Sequence, residues 1–328
     1  MDDALRGDAP SNHLFGCARL PKGWTFDVPP RMAHLRLKAL PFSKYVIGAM
    51  WAAVGDPLQT IWVLRNARRR HIVWATTQAI APSLGILRRI GVLKAPLAVL
   101  VHNTASKRYT RFWLRGADAV VVFSDGIRLK LIEQGVAQER IHVARWGPDT
   151  RWSGYRYRQE DVSLDFISTG KTYRDYDSLL EAARLGKLSG VIMNGTELIR
   201  ISGGIPEYTP NRPRLSNAEV IQELSRARVV VIPIADPPDP KGLTGITELA
   251  DAVAIGKPVV MTANPLLPVD IEAAGIGAVI PNRATANEIL SAIQRAQCID
   301  SSKVMDVAKE WNEESFSAHL LEVFRNIA

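Results

Sequence analysis

Short all-apolar runs alternate with amphipathic stretches along most of the chain. In the first half, Pro57 to Arg70 has helical spacing and leads into the run His71 to Thr76, and Leu84 to Leu93 predicts a basic amphipathic helix leading into Pro96 to His102. Arg108 to Arg115 predicts a helix, Ala117 to Ser124 a buried strand, Asp125 to Gln134 a helix, and Ile141 to Ala144 a closing strand. Strands that are apolar on both faces and separated by helices belong to a parallel sheet covered on each side.

The rhythm breaks over 146–163, a stretch rich in Trp, Tyr and Arg that reads as an interdomain connection, and then resumes. Strands are predicted at Leu164 to Thr169, Gly190 to Asn194, Val229 to Pro233, Pro258 to Thr262 and Gly277 to Ile280, with helices near 177–185, 216–226, 245–255 and 284–297. The tail, 301–327, reads as helical with Trp311, Phe316 and Phe324 as anchors. The pattern predicts an α/β protein of two tandem Rossmann-like, doubly wound parallel-sheet domains, 1–150 and 151–328, and a length of 328 residues suits that count.

Composition adds little beyond a globular chain, but charge adds more. Residues 1–150 hold 22 Lys and Arg against 10 Asp and Glu, whereas 151–328 hold 19 against 23. Such asymmetry implies domains with different partners, the basic one facing an anionic membrane surface or a phosphorylated ligand. The apolar stretch Lys44 to Val54 is too short to span a bilayer and suits an interfacial helix flanked by basic residues. Nucleic acid is not expected, because no recognition motif is present and aromatic residues are not interleaved with the basic ones. No long apolar run and no secretory leader pattern are present, and Cys17 and Cys298 are far apart. A cytoplasmic location, peripheral at the membrane face, with free thiols is the expectation.

Two places carry chemistry suited to an anionic ligand. In Ser168 to Ala182 a strand ends, Gly170 allows a tight turn, and Lys171 and Arg174 flank the entrance to a helix, a combination fit for a diphosphate. Thr244, Gly245 and Thr247 open the next helical stretch, which carries Glu248 and Asp251 three residues apart on one face. Acids there also favour the helix through its dipole, which is the plainer account of Glu248. Asp175 and Asp177 form an Asp-x-Asp at a helix start, where aspartate is common, and no metal or other cofactor is expected.

With Ala117 to Ser124, Trp146-Gly-Pro-Asp149, Val229 to Pro233 and Asp251 to Val260 in that order, the chain resembles the retaining glycosyltransferases of the GT-B fold, in the group-1, family-4-like set, over most of 95–328. The resemblance implies that Lys171 and Arg174 neutralise a donor diphosphate and that Gly170, Thr244, Gly245 and Thr247 lie under its phosphates. It implies that Asp251 binds the ribose hydroxyls. It also places a histidine near the reacting centre, for which His102 at a strand end is the candidate, facing the interdomain cleft, and it implies that the last helix packs back across to the first domain. The first acid of the family's Glu-(x)7-Glu element falls on Leu243, the nearest upstream acid being Asp239, and Asn12 to Gly16 stands where a first strand and glycine-rich loop are expected. The implied function is metal-independent transfer of a sugar from a nucleotide-diphosphate sugar to a glycan or lipid-linked acceptor, in cell-surface polysaccharide or glycolipid synthesis. A non-catalytic sugar-nucleotide- or glycan-binding relative and a sugar-nucleotide epimerase are the alternatives.

Overall fold

A computed structural model describes residues 2–29, 55–103, 107–155, 162–170, 172–213, 215–235 and 242–328, without the side chains of Asp2 and of 107–110. The apolar stretch Lys44 to Val54, Lys171 and Asp239 therefore lie outside the described residues. The chain divides into two compact units, Arg19–Arg145 with Phe316–Ala328 and Trp146–Ser315 with Met1–Ala18. The main boundary falls between Arg145 and Trp146, close to the expected division near residue 150; the last 13 residues group with the first unit, and the first 18 group with the second, which the sequence did not suggest.

In the first unit, β1 (Val73–Ala75), β2 (Leu97–Val101), β3 (Ala119–Val122) and β4 (Ile141–Val143) form a parallel sheet in that order. Every side chain of β2 and β3 is buried, as their uninterrupted apolar sequences require. Asp56 caps the helix Pro57–Asn66 by accepting from the Leu58 and Gln59 amides. That helix ends four residues before the expected Arg70. The helix Ala81–Arg89 begins earlier than its amphipathic pattern implies and stops before Gly91, whose φ is +77°. The helices Lys107–Leu114 and Asp125–Glu133 follow, the second capped by Ser124. Phe316 packs edge-on against Phe123, and Phe324 against Trp74, so the anchors at the chain's end serve this sheet.

The second unit carries a seven-stranded sheet in the order β11-β10-β9-β5-β6-β7-β8. Five strands are parallel: β5 (Leu164–Thr169), β6 (Gly190–Asn194), β9 (Ala227–Ile232), β10 (Val259–Thr262) and β11 (Gly277–Ile280). The other two, β7 (Glu197–Ser202) and β8 (Ile205–Thr209), form an antiparallel hairpin on the β6 edge, which the sequence pattern did not predict. Its turn is Gly203-Gly204, both at positive φ, as a two-residue turn of this hand requires. Helices Tyr176–Gly186, here α6, and Ala286–Ala296 cover one face through Leu179, Ala182, Ile289 and Ile293 against Phe166, Ile192 and Val229. Truncating a fully buried leucine such as Leu179 to alanine costs about 2–5 kcal/mol.

The segment expected to lack a first strand folds onto this second unit. The helix Asp2–Arg6 and the 3₁₀ turn Ser11–Leu14 bury Ala4, Ala9 and Leu14 together. Asn12 is pinned twice: its carbonyl accepts from the Trp146 indole at 2.8 Å and its amide donates to Gly147 O at 3.2 Å. The tail is two helices rather than one, Ser301–Glu310 and Glu313–Ile327, broken where the Trp311 indole donates to Trp146 O at 2.7 Å. A Cβ on Gly147 would lie 2.7 Å from the Asn312 amide nitrogen, so only glycine permits this approach.

Candidate functional site

The parallel strands of the second unit bring two turns together at their carboxyl ends. After β5 the chain turns at Gly170, with φ +100°, and passes through Tyr173, also left-handed, before α6 starts. Asp175 caps α6 by accepting from Ser178 N at 3.1 Å and Ser178 Oγ at 2.8 Å, which gives the first acid of the Asp-x-Asp a structural partner. The turn is braced on the end of β9: Asp175 N donates to Pro233 O and Ala235 N to Tyr173 O, each at 2.8 Å. Tyr176 closes it by donating its hydroxyl to Gly170 O.

The second turn leads into the helix Ile246–Ala254, here α8, whose N-cap is Gly245 at φ +85°. A Cβ there would lie 2.8 Å from Ile232 Cγ2 and 2.9 Å from Met261 Cε, so a glycine lets the helix start against the sheet. Leu243 is buried just before it, Thr244 is half-buried and Thr247 exposed. Asn264 holds the approach by donating to Gly242 O at 3.0 Å.

Glu248 joins the two turns. One carboxylate oxygen accepts from the Thr169 amide, and the other lies 3.0 Å from Arg174 Nη2. The paired side chains are 5% and 6% exposed. Burial pushes the Glu248 carboxyl up, and the Arg174 guanidinium and the Thr169 amide oppose that shift. Glu248 therefore does more than complement the helix dipole: it ties the α8 start to the Gly170 turn. Arg174 is correspondingly engaged, its Nη1 donating to Thr172 O at 2.8 Å, while its buried Nε has no hydrogen-bond partner among the described residues. Its guanidinium packs on Gly170, where a Cβ would stand 2.8 Å from Nη2.

Asp251, one turn along the same helix face, accepts from the Tyr155 hydroxyl at 2.7 Å. Burial raises its carboxyl to about 7, the Tyr155 hydrogen bond works the other way, and the Glu248 charge adds to the rise. Sequence reasoning missed Tyr155, which sits in a 3₁₀ turn, Ser153–Tyr155, in the stretch expected to connect the domains but grouped with the second unit.

Beside Gly170 opens a cavity of about 230 Å³, with Met193, Leu198, Leu215 and Val220 as apolar walls and Arg212 and Asn217 among its polar ones. Its outer wall is the β6–β7 turn, so it was missed together with the hairpin. Arg212 N donates to Thr196 O at 2.8 Å and closes that wall.

His102 belongs to the first unit, just past β2. Its Nε2 is 2.9 Å from Thr76 O, a contact that requires the proton on Nε2, and its ring meets Phe123 edge-on. Burial lowers its basicity and so favours the neutral imidazole, opposed by the Thr76 carbonyl. Among the described residues, Gly170, Arg174, Thr244, Gly245, Thr247, Glu248 and Asp251 share one region of the second unit.

No family model matches the chain. It is similar to the putative colanic acid biosynthesis glycosyltransferase WcaL of Escherichia coli strain K12, 27% identical over 263 residues that cover 72% of this chain. It spans 64% of the length of that curated relative. Among solved structures it is similar to HepE of Anabaena in complex with UDP-glucose, with a TM-score of 0.61 and 14% identity over 83% of this chain and 82% of that one. It is also similar to a glycosyltransferase from Rickettsia africae ESF-5, with a TM-score of 0.59 and 14% identity over 93% and 84%. At these identities the likeness is one of fold: the chain shares the mixed α/β architecture of Rossmann-like domains that these glycosyltransferases have.

Proposed function

We propose that the chain is a glycosyltransferase that moves a sugar from a nucleotide-diphosphate sugar to a glycan or lipid-linked acceptor, with retention and without a metal. One observation carries the reading: the Gly170 turn and the α8 start are joined by Glu248 beside a cavity of about 230 Å³, all at the carboxyl ends of parallel strands. That is where open α/β sheets bind ligands, with helix N-termini turned toward anionic groups. The WcaL name supports a role in polysaccharide synthesis, and the HepE complex with UDP-glucose supports a uridine-diphosphate donor.

The nucleobase would enter the cavity, the diphosphate would lie over Gly170 and the start of α8, and Asp251 would receive the ribose. Lys171 and Arg174, with Thr244, Gly245 and Thr247, would stabilise the charge on the departing diphosphate. That role needs no metal, since fixed cations and N–H groups supply the field. The basic first unit would take the acceptor, with His102 orienting it, and would rest on an anionic membrane surface. Leu243 favours a second reading, because the acid expected near the donor sugar is replaced by a buried leucine. A binding protein that holds a sugar nucleotide without consuming it is that alternative.

Calorimetry with a panel of nucleoside diphosphates and nucleotide sugars, with and without EDTA, tests the proposal. One donor is expected to bind wild type independently of EDTA and to lose at least about tenfold in affinity in Val220→Trp, which fills the cavity. With acceptor present, the nucleotide is released and the product keeps the donor's anomeric configuration. Binding without release under every acceptor tried supports the binding-protein reading, conversion of the donor without acceptor an epimerase, and no binding at all sinks the donor site.

A further inference from the structure

Asp251 is not a bare carboxylate at the donor site, because the hydroxyl of Tyr155 already reaches it. Tyr155 is buried, and its ring meets Trp152 edge-on at 5.0 Å. The residue between them must be small: a Cβ on Gly154 would lie 2.3–2.5 Å from the Trp152 ring. Trp152 is fixed in turn from outside the connection, its indole donating to Gly7 O at 2.9 Å. The chain of contacts runs from the N-terminal segment through Trp152 and Tyr155 to Asp251.

On the reading of the second unit as a donor site, we infer that Tyr155 is a positioning residue for Asp251, holding one carboxylate oxygen so that the other is aimed at the ribose hydroxyls, and that residues 1–18 set where Tyr155 stands. A carboxylate on a single helical turn has freedom about two side-chain torsions. A donated hydroxyl from a ring that cannot move removes that freedom before the ligand arrives. The same hydrogen bond favours the ionised carboxylate, the form that accepts from two vicinal hydroxyls. The groups that set this ionisation are Tyr155 and Glu248, the latter neutralised by Arg174, with Asp149 acting on Tyr155 from the connection.

The Asp251 carboxyl is followed by ¹³C NMR through a pH titration in wild type, Tyr155→Phe and Trp152→Phe, and binding of UDP and of its 2′,3′-dideoxy analogue is measured across the same range. The wild-type midpoint is expected near 7, and UDP affinity should rise with pH through it. Tyr155→Phe, which keeps the ring, should move the midpoint upward and weaken UDP about fivefold at pH 7, with recovery at higher pH. Trp152→Phe should shift it the same way by less. A merely structural tyrosine would lower stability and leave the midpoint in place, and an unmoved midpoint overturns the inference. A midpoint that moves while wild type binds the dideoxy analogue as well as UDP overturns the ribose role of Asp251 and so the inference, whereas failure of UDP to bind wild type at all would overturn the donor-site reading on which it rests.

Discussion

Arg174 Nη2 lies 3.0 Å from Glu248 Oε2 in a pair whose side chains are almost wholly withdrawn from water. Desolvating two charges is costly, and the Coulombic attraction only offsets that cost while both partners remain. Arg174→Met leaves a buried carboxylate without its counter-ion and is expected to cost about 3–5 kcal/mol. The double variant Arg174→Met/Glu248→Gln removes the stranded charge and should recover a large share of that loss. Urea unfolding of the single and double variants decides; a double variant no more stable than Arg174→Met would mean that the pair is not coupled.

The two turns at the site depend on glycines in unequal ways. Gly245→Ala forces a side chain into φ +85° and against Ile232 and Met261 within 3 Å, so strain and overpacking add. Gly91 is a fair control, with φ +77° but nothing nearer than Lys94 Nζ at 3.9 Å. Gly91→Ala should cost about 1 kcal/mol from its backbone alone, and Gly245→Ala about 2–4 kcal/mol. Equal losses would show that the α8 start has room to shift.

Why the sheets were readable and the joints were not follows from what each depends on. β2, β3 and β10 are buried on both faces, so their sequences are apolar throughout and announce themselves. β8 is exposed at every residue, so Ile205 to Thr209 carries no burial pattern, and Gly203-Gly204 was its only local signal. Glu248 and Asp251 could be placed on one helix face from spacing alone. Their partners could not, because Arg174 and Tyr155 arrive from turns 74 and 96 residues away, by tertiary packing rather than periodicity. What holds the N-terminal segment was not legible in the sequence for a similar reason. What orders Asn12 is the Trp146 indole, 134 residues on.

Asp251 also makes stability depend on pH in a definite direction. Its carboxyl, ordinarily near 3.8, stands at about 7 in the folded chain, so between those values the folded state holds a proton that the unfolded state has lost. Stability contributed by this group therefore falls as pH rises from about 4 to about 7 and is level above. Asp251→Asn cannot ionise and still accepts from Tyr155. Relative to wild type it should gain stability across that window, by up to about 4 kcal/mol at pH 8. Thermal unfolding of both proteins at pH 5 and pH 8 measures it, and a difference that does not change with pH would mean that Asp251 titrates normally.

The first unit has a surface whose chemistry fits an anionic bilayer. At the end of the helix Ala81–Arg89, Ile90 and Val92 are 66% and 50% exposed, and Phe112 on the neighbouring helix is 51% exposed. Arg89 stacks over Phe112 at 5.4 Å, which places a cation on one of these exposed apolar side chains. Lys94 and Arg115 are exposed nearby in sequence, whereas Arg88 is held by Asp118 through two contacts of 2.8 Å and is not free to meet a headgroup. Apolar side chains that enter the headgroup layer and cations that meet its phosphates act together, each cation contributing about 1 kcal/mol at low salt. The triple variant Ile90→Ser/Val92→Ser/Phe112→Ser should lose about tenfold or more in binding to phosphatidylglycerol vesicles, and Arg89→Ala should lose severalfold and flatten the salt dependence. Arg88→Ala should instead lower stability by removing the partner of Asp118. Vesicle co-sedimentation at two salt concentrations separates these outcomes. Unchanged binding in the triple variant would show that this surface is not the proposed membrane contact.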